Sequence, residues 1–418
     1  MKLIRNYLDK IKPHFLEGGK FSYLHSLFDG AETFFFAPNA TSKSGVHIHD
    51  ARDSKRTMIT VLVAMMPALL VGIYNLGLQH YLAIGQATEF TDFAGTFSKL
   101  IFGLLAILPH IVVVYAVGLG IEIVIAQWKK EEVAEGFFVS GMIIVMIMPI
   151  GVPLWMLALA TAFGVIIAKE IFGGTGYNIF NVALVARAFL FFSYPSKMSG
   201  DQVWVAKNNI LGFGGGEIAD GFSGATPLAQ LVTTEATSFE QFNFYGVHGQ
   251  PLSIMEMFIG LTPGSIGEGS IAAILLGAFL LVVTGVASWK IMLSVFAGGF
   301  ATVALINALS VNLVMEMPPH YHFLLGGFAF GAVFMATDPV TAARTETGKW
   351  IYGALIGFFA IVIRIFNTGF PEGMMFAILL MNGLAPLIDY YVVDANVKRR
   401  MKRAAAAKAL TNGGQNNE

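Results

Sequence analysis

The sequence predicts an all-α polytopic membrane protein: ten transmembrane helices in two inverted five-helix repeats that include discontinuous helices. Three observations carry this. Only 13% of the 418 residues are charged and 55% are hydrophobic, with a mean hydropathy of +0.66, whereas a soluble domain is about 25% charged. The apolar residues fall into runs long enough to cross a bilayer. Motifs of the first half recur in the second at a near-constant separation. So little charge cannot cover a water-soluble surface, which excludes a soluble globular enzyme, a disordered chain and a nucleic-acid binder. The net charge of −1 decides little, because the placement of charge matters more than its total in a membrane protein. The chain has no cysteine, so disulfides, thiolate catalysis and Cys-ligated iron–sulfur clusters are excluded.

A spanning helix needs roughly 20 apolar residues at about 1.5 Å each. Residues 1–56 form a basic segment with nine Lys or Arg. The first five candidate spans, within 57–194, are about 57–76, 101–122, 136–149, 154–168 and 178–194. A connection follows over 195–268, with only Lys197 and Lys207 as cations. The second five spans, within 269–391, are about 269–288, 291–310, 322–337, 349–366 and 372–391. The tail, 392–418, carries six Lys or Arg after Val397. The positive-inside rule then puts both termini in the cytoplasm and the 195–268 connection outside, five spans later. No cleavable signal peptide is visible in the basic, mixed N-terminus.

Trp155 is followed fourteen residues later by Lys169 and then Ile171-Phe172; Trp350 is followed fourteen residues later by Arg364 and then Ile365-Phe366. Phe137 and Gly141 lead to Pro149, as Phe323 and Gly327 lead to Pro339. Five spans per half, an odd number, make the repeat an inverted one. The short Gly-containing segments 136–149 and 322–337 end at Pro-rich breaks, as discontinuous helices around a central site do. Two ordinary short helices are the plain alternative.

Ionisable residues at membrane depth cost at least about 2.5–3.5 kcal/mol at a helix centre, so each needs an account. Glu122, after Gly118 and Gly120, is either a cation ligand or an interfacial residue reaching for water. Arg187 and Arg364 either bind a phosphate or carboxylate bidentately, or hold helix-terminal carbonyls. Asp338, in Thr337-Asp338-Pro339-Val340-Thr341, either lines a polar cavity or caps the next helix. Asp389 reads as the solvated end of the last span. His47-Ile48-His49-Asp50 resembles a metal cluster but lacks further ligands. Phe34-Phe35-Phe36 suits a membrane surface, the bundle, or the wall of an apolar ligand site. Gly173-Gly174-Thr175-Gly176-Tyr177-Asn178-Ile179-Phe180-Asn181 opens the fifth span. Its helix-terminal N–H groups suit an anion or ring, and Asn178 and Asn181, three apart, face one way if helical. A Gly-rich entry with an Asn cap is the alternative. No strand–GxGxxG–helix context exists for NADH. In the outer connection, Gly221-Phe222-Ser223-Gly224-Ala225-Thr226-Pro227 gives a slim approach to the Thr226 hydroxyl, or simply a turn before a helix starting at Pro227.

Taken together, Ser223-Gly224-Ala225-Thr226 in an outer connection, Phe172-Gly-Gly-Thr-Gly with Asn178, Asn181 and Arg187, Thr337 to Thr341, and Ala395-Asn396-Val397-Lys398-Arg399-Arg400 resemble one family. It comprises the membrane proteins that include the B subunit of the bacterial Na⁺-translocating NADH:quinone oxidoreductase and the D subunit of the Rnf complex. The resemblance spans nearly the whole chain, including the basic N-terminal segment that Rnf D subunits usually lack. It implies a urea-transporter-like arrangement of helices in the bacterial inner membrane. It also implies FMN joined through its phosphate to Thr226 by a flavin transferase, with Ser223, Gly224 and Ala225 as small neighbours. Non-covalent riboflavin is implied near Asn178 and Asn181, with Arg187, Asp338 and Thr341 in the same cofactor-binding set. Ubiquinone reduction is implied at the inner side near Phe34, Gly118 and Gly120, and Na⁺ on a route past Glu122 and Asp389. Where the family has Pro after the second Asn, this chain has Val182, which loosens the helix entry. The chain would work among the other membrane and peripheral subunits of such a complex, and would not oxidise NADH by itself. A D-type subunit of a ferredoxin:NAD oxidoreductase and a solute channel with inverted repeats remain the competing readings.

Overall fold

The computed structural model describes residues 2–15, 19, 21, 28, 32, 36, 54–86, 95–129, 136–201, 203–207, 210–216, 222–234, 236, 238–247, 249–309, 311–367 and 372–415. Phe34, Phe35, Gly221 and the His47–Asp50 stretch, all singled out above, lie outside these residues. Among the described residues every regular element is helical; the β-type pairing consists of isolated bridges, Ile210 with Phe213 and Tyr245 with Pro251.

A short N-terminal helix, α1 (Lys2–Ile11), is tied down by Glu32, which pairs with Lys12 at 2.8 Å and Arg5 at 3.3 Å. The first half then runs α2 (Ser54–Ala83), α3 (Thr96–Lys129), α4 (Gly136–Ile147), α5 (Leu154–Ala168) and α6 (Val182–Ser193). The connection holds two short helices, α7 (Pro227–Thr233) and α8 (Ile254–Ile259). The second half runs α9 (Ile271–Val283), α10 (Trp289–Asn307), the short α11 (Pro319–Leu324), a helical stretch from Phe328 to Met335, α12 (Glu346–Phe366) and α13 (Met374–Gln415).

Six of these helical stretches are long and apolar enough to cross a membrane: Arg56–Ala83, Thr96–Lys129, Leu154–Phe172, Trp289–Asn307, Glu346–Phe366 and Met374–Ala407. Three shorter apolar helices are α4, α6 and α9. The segment expected at 322–337 is interrupted. Gly326 and Gly327 take φ of +68° and +67°, a left-handed backbone that suits glycine, so α11 stops there. The helix restarts at Phe328 and passes into a π-turn over Gly331–Met335, closed by Ala336 N–H on the Gly331 carbonyl at 2.7 Å. In the first half α4 ends before Pro149, and Gly151 N–H crosses to the Val203 carbonyl at 2.9 Å, which anchors the start of α5 to the connection.

Helices within lipid gain little from hydrophobic burial and associate through close packing, so small residues sit at their crossings. α10 lies along α12, α2 along α3, and α5 along α6. At the α10–α12 crossing a Cβ on Gly298 would strike the Ala354 carbonyl, and one on Gly357 would strike that of Val295. α9 packs on α2, and α13 on α6, which joins the two halves. Phe102, Phe137, Phe328, Phe330 and Tyr352 fill the interior, while Leu70, Val112, Phe279 and Phe300 point outward as a lipid-facing surface would.

Two boundaries differ from expectation for a physical reason. α2 continues past 76 to Ala83 because its late polar residues are satisfied by the connection. Asn75 donates to the Thr262 carbonyl at 2.8 Å, and the His80 ring meets the carbonyls of Ala206 at 2.6 Å and Gly214 at 3.1 Å. α13 does not stop near 391 but continues to Gln415 through the basic tail.

Candidate functional site: two polar sites at opposite ends of the bundle

The first site gathers where α5 ends and α6 begins. Lys169 closes α5, its N–H donating to the Val165 carbonyl at 3.3 Å. Gly173, Gly174 and Gly176, all at positive φ, then turn the chain back. Asn178 and Asn181 are not on a helix, contrary to the spacing argument. Both lie in the loop, because Asn181 is the N-cap of α6: its side chain accepts from Ala183 N–H at 3.1 Å and Leu184 N–H at 3.3 Å. The Asn178 amide donates to the Phe180 carbonyl at 3.2 Å.

Asn382 of α13 links this cap to the helix break of the second half. Its Oδ1 accepts from Asn181 N–H at 3.2 Å, and its Nδ2 donates to the Tyr352 hydroxyl at 2.8 Å and the Thr341 carbonyl at 3.4 Å. Asp338 accepts from Val340 N–H at 3.0 Å and from the Thr341 hydroxyl at 3.1 Å. It braces its own turn and borders the cavity below, but it does not cap the next helix: Thr345 does, its side chain accepting from Gly348 N–H at 3.1 Å.

Asn178, Asn181 and Asp338 share a cavity of about 80 Å³ with Lys169 and Thr175, walled by Met58, Val61, Ile143, Leu281 and Phe334. Its free volume is below the roughly 300–1,000 Å³ of a pocket that takes a drug-sized molecule, so a ring would enter only as the lining side chains move apart. Thr175 Oγ1 is buried with no hydrogen-bond partner among the described residues. A largely apolar slot with a few amides, one cation and an unsatisfied hydroxyl fits a planar heteroaromatic ring with a polar edge, and so fits riboflavin.

Lys169 and Glu122 form a buried ion pair between α5 and α3. Glu122 therefore points into protein rather than toward an interface. Its Oε2 is buried and has no partner among the described residues. Gly118, one turn earlier on α3, lies against the Phe137 ring, so a Cβ there would collide with it. Nothing crowds Gly120. Asp389, near the same end, is satisfied by three donors: Arg344 N–H at 2.7 Å, Thr345 N–H at 3.0 Å and the Thr345 hydroxyl at 2.6 Å. It braces the start of α12.

The second site belongs to the connection. Thr226 is the N-cap of α7, its Oγ1 accepting from Ala229 N–H at 3.3 Å. Gly224 is buried, and a Cβ on it would meet the Asp201 carbonyl and the Val205 side chain. Close approach of two chain segments therefore demands a small residue at 224. Gln230 holds the strand of loop opposite, donating to the Ala225 carbonyl at 3.0 Å and the Tyr245 carbonyl at 2.8 Å. Ser223 is exposed and Thr226 half-buried. Ser223 and Ala225 border an open cavity of about 740 Å³. Thr226 itself borders a much smaller one of about 30 Å³, together with Glu268, Gly326, Gly327 and Glu372. An accessible hydroxyl on a braced loop, beside open space, fits a phosphoester-linked nucleotide.

Arg187 is not with the Asn pair on the first cavity. It donates to Glu268 at 2.8 Å and pairs with Glu372, under the Thr226 site. The reason is charge: two partly buried carboxylates on this side need the cation, and Glu268 is further held by the Ser265 hydroxyl. Sequence reasoning missed Glu268, Glu372, Thr175 and the role of Lys169. The signal available was the placement of Lys169 at the end of an apolar run; its partner lies 47 positions away.

The comparisons agree with the resemblance. A model of the NQR2, RnfD, RnfE family matches residues 41–398. Similar curated proteins are named as the B subunit of Na⁺-translocating NADH-quinone reductase. That of Chromohalobacter salexigens is 43% identical, covering 98% of this chain and 98% of its own length. Those of Neisseria meningitidis serogroup A and Haemophilus influenzae are 42% and 44% identical, each covering 96% of this chain and 99% of its own length.

Proposed function

The chain belongs to the NQR2, RnfD, RnfE family, and from that premise we propose that it is the B subunit of a Na⁺-translocating NADH:quinone reductase. It carries covalent FMN on Thr226 and non-covalent riboflavin in the Asn178–Asn181–Asp338 cavity, and it passes electrons to ubiquinone. In this reading α4, α6, α9 and the interrupted segment from Pro319 to Met335 complete ten crossings in two inverted, urea-transporter-like repeats. Both termini are then cytoplasmic in a bacterial inner membrane, and the 195–268 connection is outside. In this reading NADH is oxidised on another subunit; among the described residues the regular elements are helical and form no parallel sheet of the dinucleotide-binding kind.

The two flavins supply electron carriage between the faces of the membrane; what the chain itself contributes is attachment, orientation and charge. Thr226 Oγ1 provides the ester oxygen. Its bond from Ala229 N–H uses an oxygen lone pair rather than the hydroxyl proton, so the cap survives esterification. Gly224 lets the loop lie close to Asp201, and Ser223 and Ala225 leave the approach open to the flavin transferase. At the other end, Asn178, Thr175 and Asn181 meet the polar edge of riboflavin while Phe334 and Ile143 exclude water. Quinone is reduced near Gly118 and Gly120. Of the two acids expected on the sodium route, Glu122 keeps an oxygen without a partner among the described residues, whereas Asp389 is held by three donors. We therefore assign the route to Glu122.

The observation that carries this reading is Thr226, a half-buried hydroxyl at the start of α7 beside open space. Co-expressed with its flavin transferase and denatured, the wild-type chain gives a fluorescent flavin band on a gel, and the Thr226 peptide carries the added mass of FMN. Thr226→Ala gives neither. A missing band in wild type, or a persistent one in the variant, leaves a permease as the better answer.

A further inference from the structure

Lys169 borders the cavity shared by Asn178, Asn181 and Asp338, yet its carboxylate partner does not. The ammonium therefore stands between the cavity and Glu122, and both side chains are almost wholly removed from solvent: 4% exposed for Lys169 and 3% for Glu122. One oxygen of Glu122 binds the ammonium and the other has no partner among the described residues. On the cavity's far side Asp338 is braced by Val340 N–H and the Thr341 hydroxyl. Glu170, next to Lys169 in sequence and paired with Lys129 at 3.3 Å, adds a second negative charge near Glu122.

We propose that Lys169 is shared between Glu122 and the ring bound in the cavity, and sets how strongly that ring holds added electrons. The proposal rests on reading the cavity as the riboflavin site. An isoalloxazine gathers negative charge along its N1–C2 carbonyl edge when reduced. A fixed ammonium beside it favours the reduced form, and the effect is large where water is excluded. Glu122 works against this by drawing the ammonium away and by adding its own negative charge. No bond to Lys169 forms or breaks; the residue acts through charge and position. Lysine suits the task because its charge is compact and its stem flexible, so one ammonium can lean toward either partner.

The test uses the assembled complex with three variants: Glu122→Gln, the double variant Lys169→Met with Glu122→Gln, and Lys169→Arg. The double variant strands no carboxylate in the interior. Two quantities are read, the non-covalent flavin released on denaturation and the midpoint potential of that flavin in a spectroscopic redox titration. Glu122→Gln is expected to raise the potential above wild type. The double variant is expected to lie below Glu122→Gln by at least tenfold in preference for the reduced form, about 59 mV for one electron. Lys169→Arg is expected to stay within a few-fold of wild type. Equal potentials in Glu122→Gln and the double variant, with flavin retained, overturn the proposal, because the two differ only in the ammonium. A lower potential in Glu122→Gln than in wild type overturns it as well. If the double variant releases no flavin while the others do, the rise in Glu122→Gln decides: present, it supports the proposal; absent, it overturns it. If wild type releases no non-covalent flavin, the reading of the cavity itself fails, a result distinct from unchanged potentials, and the proposal falls with it.

Discussion

Lys169 and Arg364 stand at matching places in the two halves, each fourteen residues after a tryptophan, and both are buried. Their surroundings differ. Lys169 pairs with a carboxylate and borders a cavity. Arg364 instead donates to three backbone carbonyls: His322 at 2.6 Å, Leu325 at 3.1 Å and Gly326 at 3.3 Å. Those carbonyls are freed where α11 stops, and a rigid guanidinium fork serves several of them at once, as an ammonium on a flexible stem does less well. A position that recurs in the two halves of the sequence is thus a clasp on backbone carbonyls in one half and one member of a buried ion pair in the other, and the broken helix beside Arg364 explains which.

The largest effect expected from this contrast is on assembly. Arg364→Met leaves buried carbonyls without donors, at about 1–3 kcal/mol for each. Folded protein recovered from membranes, measured by size-exclusion chromatography in detergent, should fall to background, with Arg364→Lys restoring only part of it. The double Lys169→Met, Glu122→Gln variant should assemble normally. If both positions prove equally necessary, or equally dispensable, for assembly, the contrast is broken. A smaller effect is expected beside the Lys169 site: Gly118→Ala presses a methyl into the Phe137 ring, and overpacking of this kind costs about 1–3 kcal/mol. A lowered melting temperature in detergent reports it. The smallest sharpens the account of the cavity rim. Asn181→Ala removes the cap of α6, at about 1 kcal/mol, whereas Asn181→Asp keeps an accepting oxygen and should melt near wild type.

Much of the helical layout was legible because a span is written locally, as a run of some 20 apolar residues. The stretches 101–122, 154–168, 291–310 and 349–366 fall on α3, α5, α10 and α12. The interruption at Gly326 and Gly327 was misplaced: the sequence puts the break at Asp338-Pro339, after a segment over 322–337, whereas the left-handed backbone of the paired glycines stops the helix inside that segment. The last turns of α2 were hidden, because Gln79 and His80 look like an exit from the membrane until their carbonyl partners in the connection are known. The candidate sites divide in the same way. Thr226 and the Asn pair announced themselves through short motifs. Glu268 and Glu372 did not, because they matter only through Arg187, 81 and 185 positions away. A spacing rule for helices also misplaced the Asn pair, since capping put Asn181 outside the helix it starts.

The length of α13 has a mechanical consequence. About 20 residues suffice to cross a bilayer, and α13 has 42 without a break. Its exposed cations, Lys398, Arg399, Arg400, Lys402 and Arg403, begin just where the apolar run ends, and drawing them into hydrocarbon is costly. Axial slip of this rod is therefore blocked from one side. Asp389 rides on the same rod, so the depth at which it grips the first turn of α12 is set by a stop roughly two turns farther along.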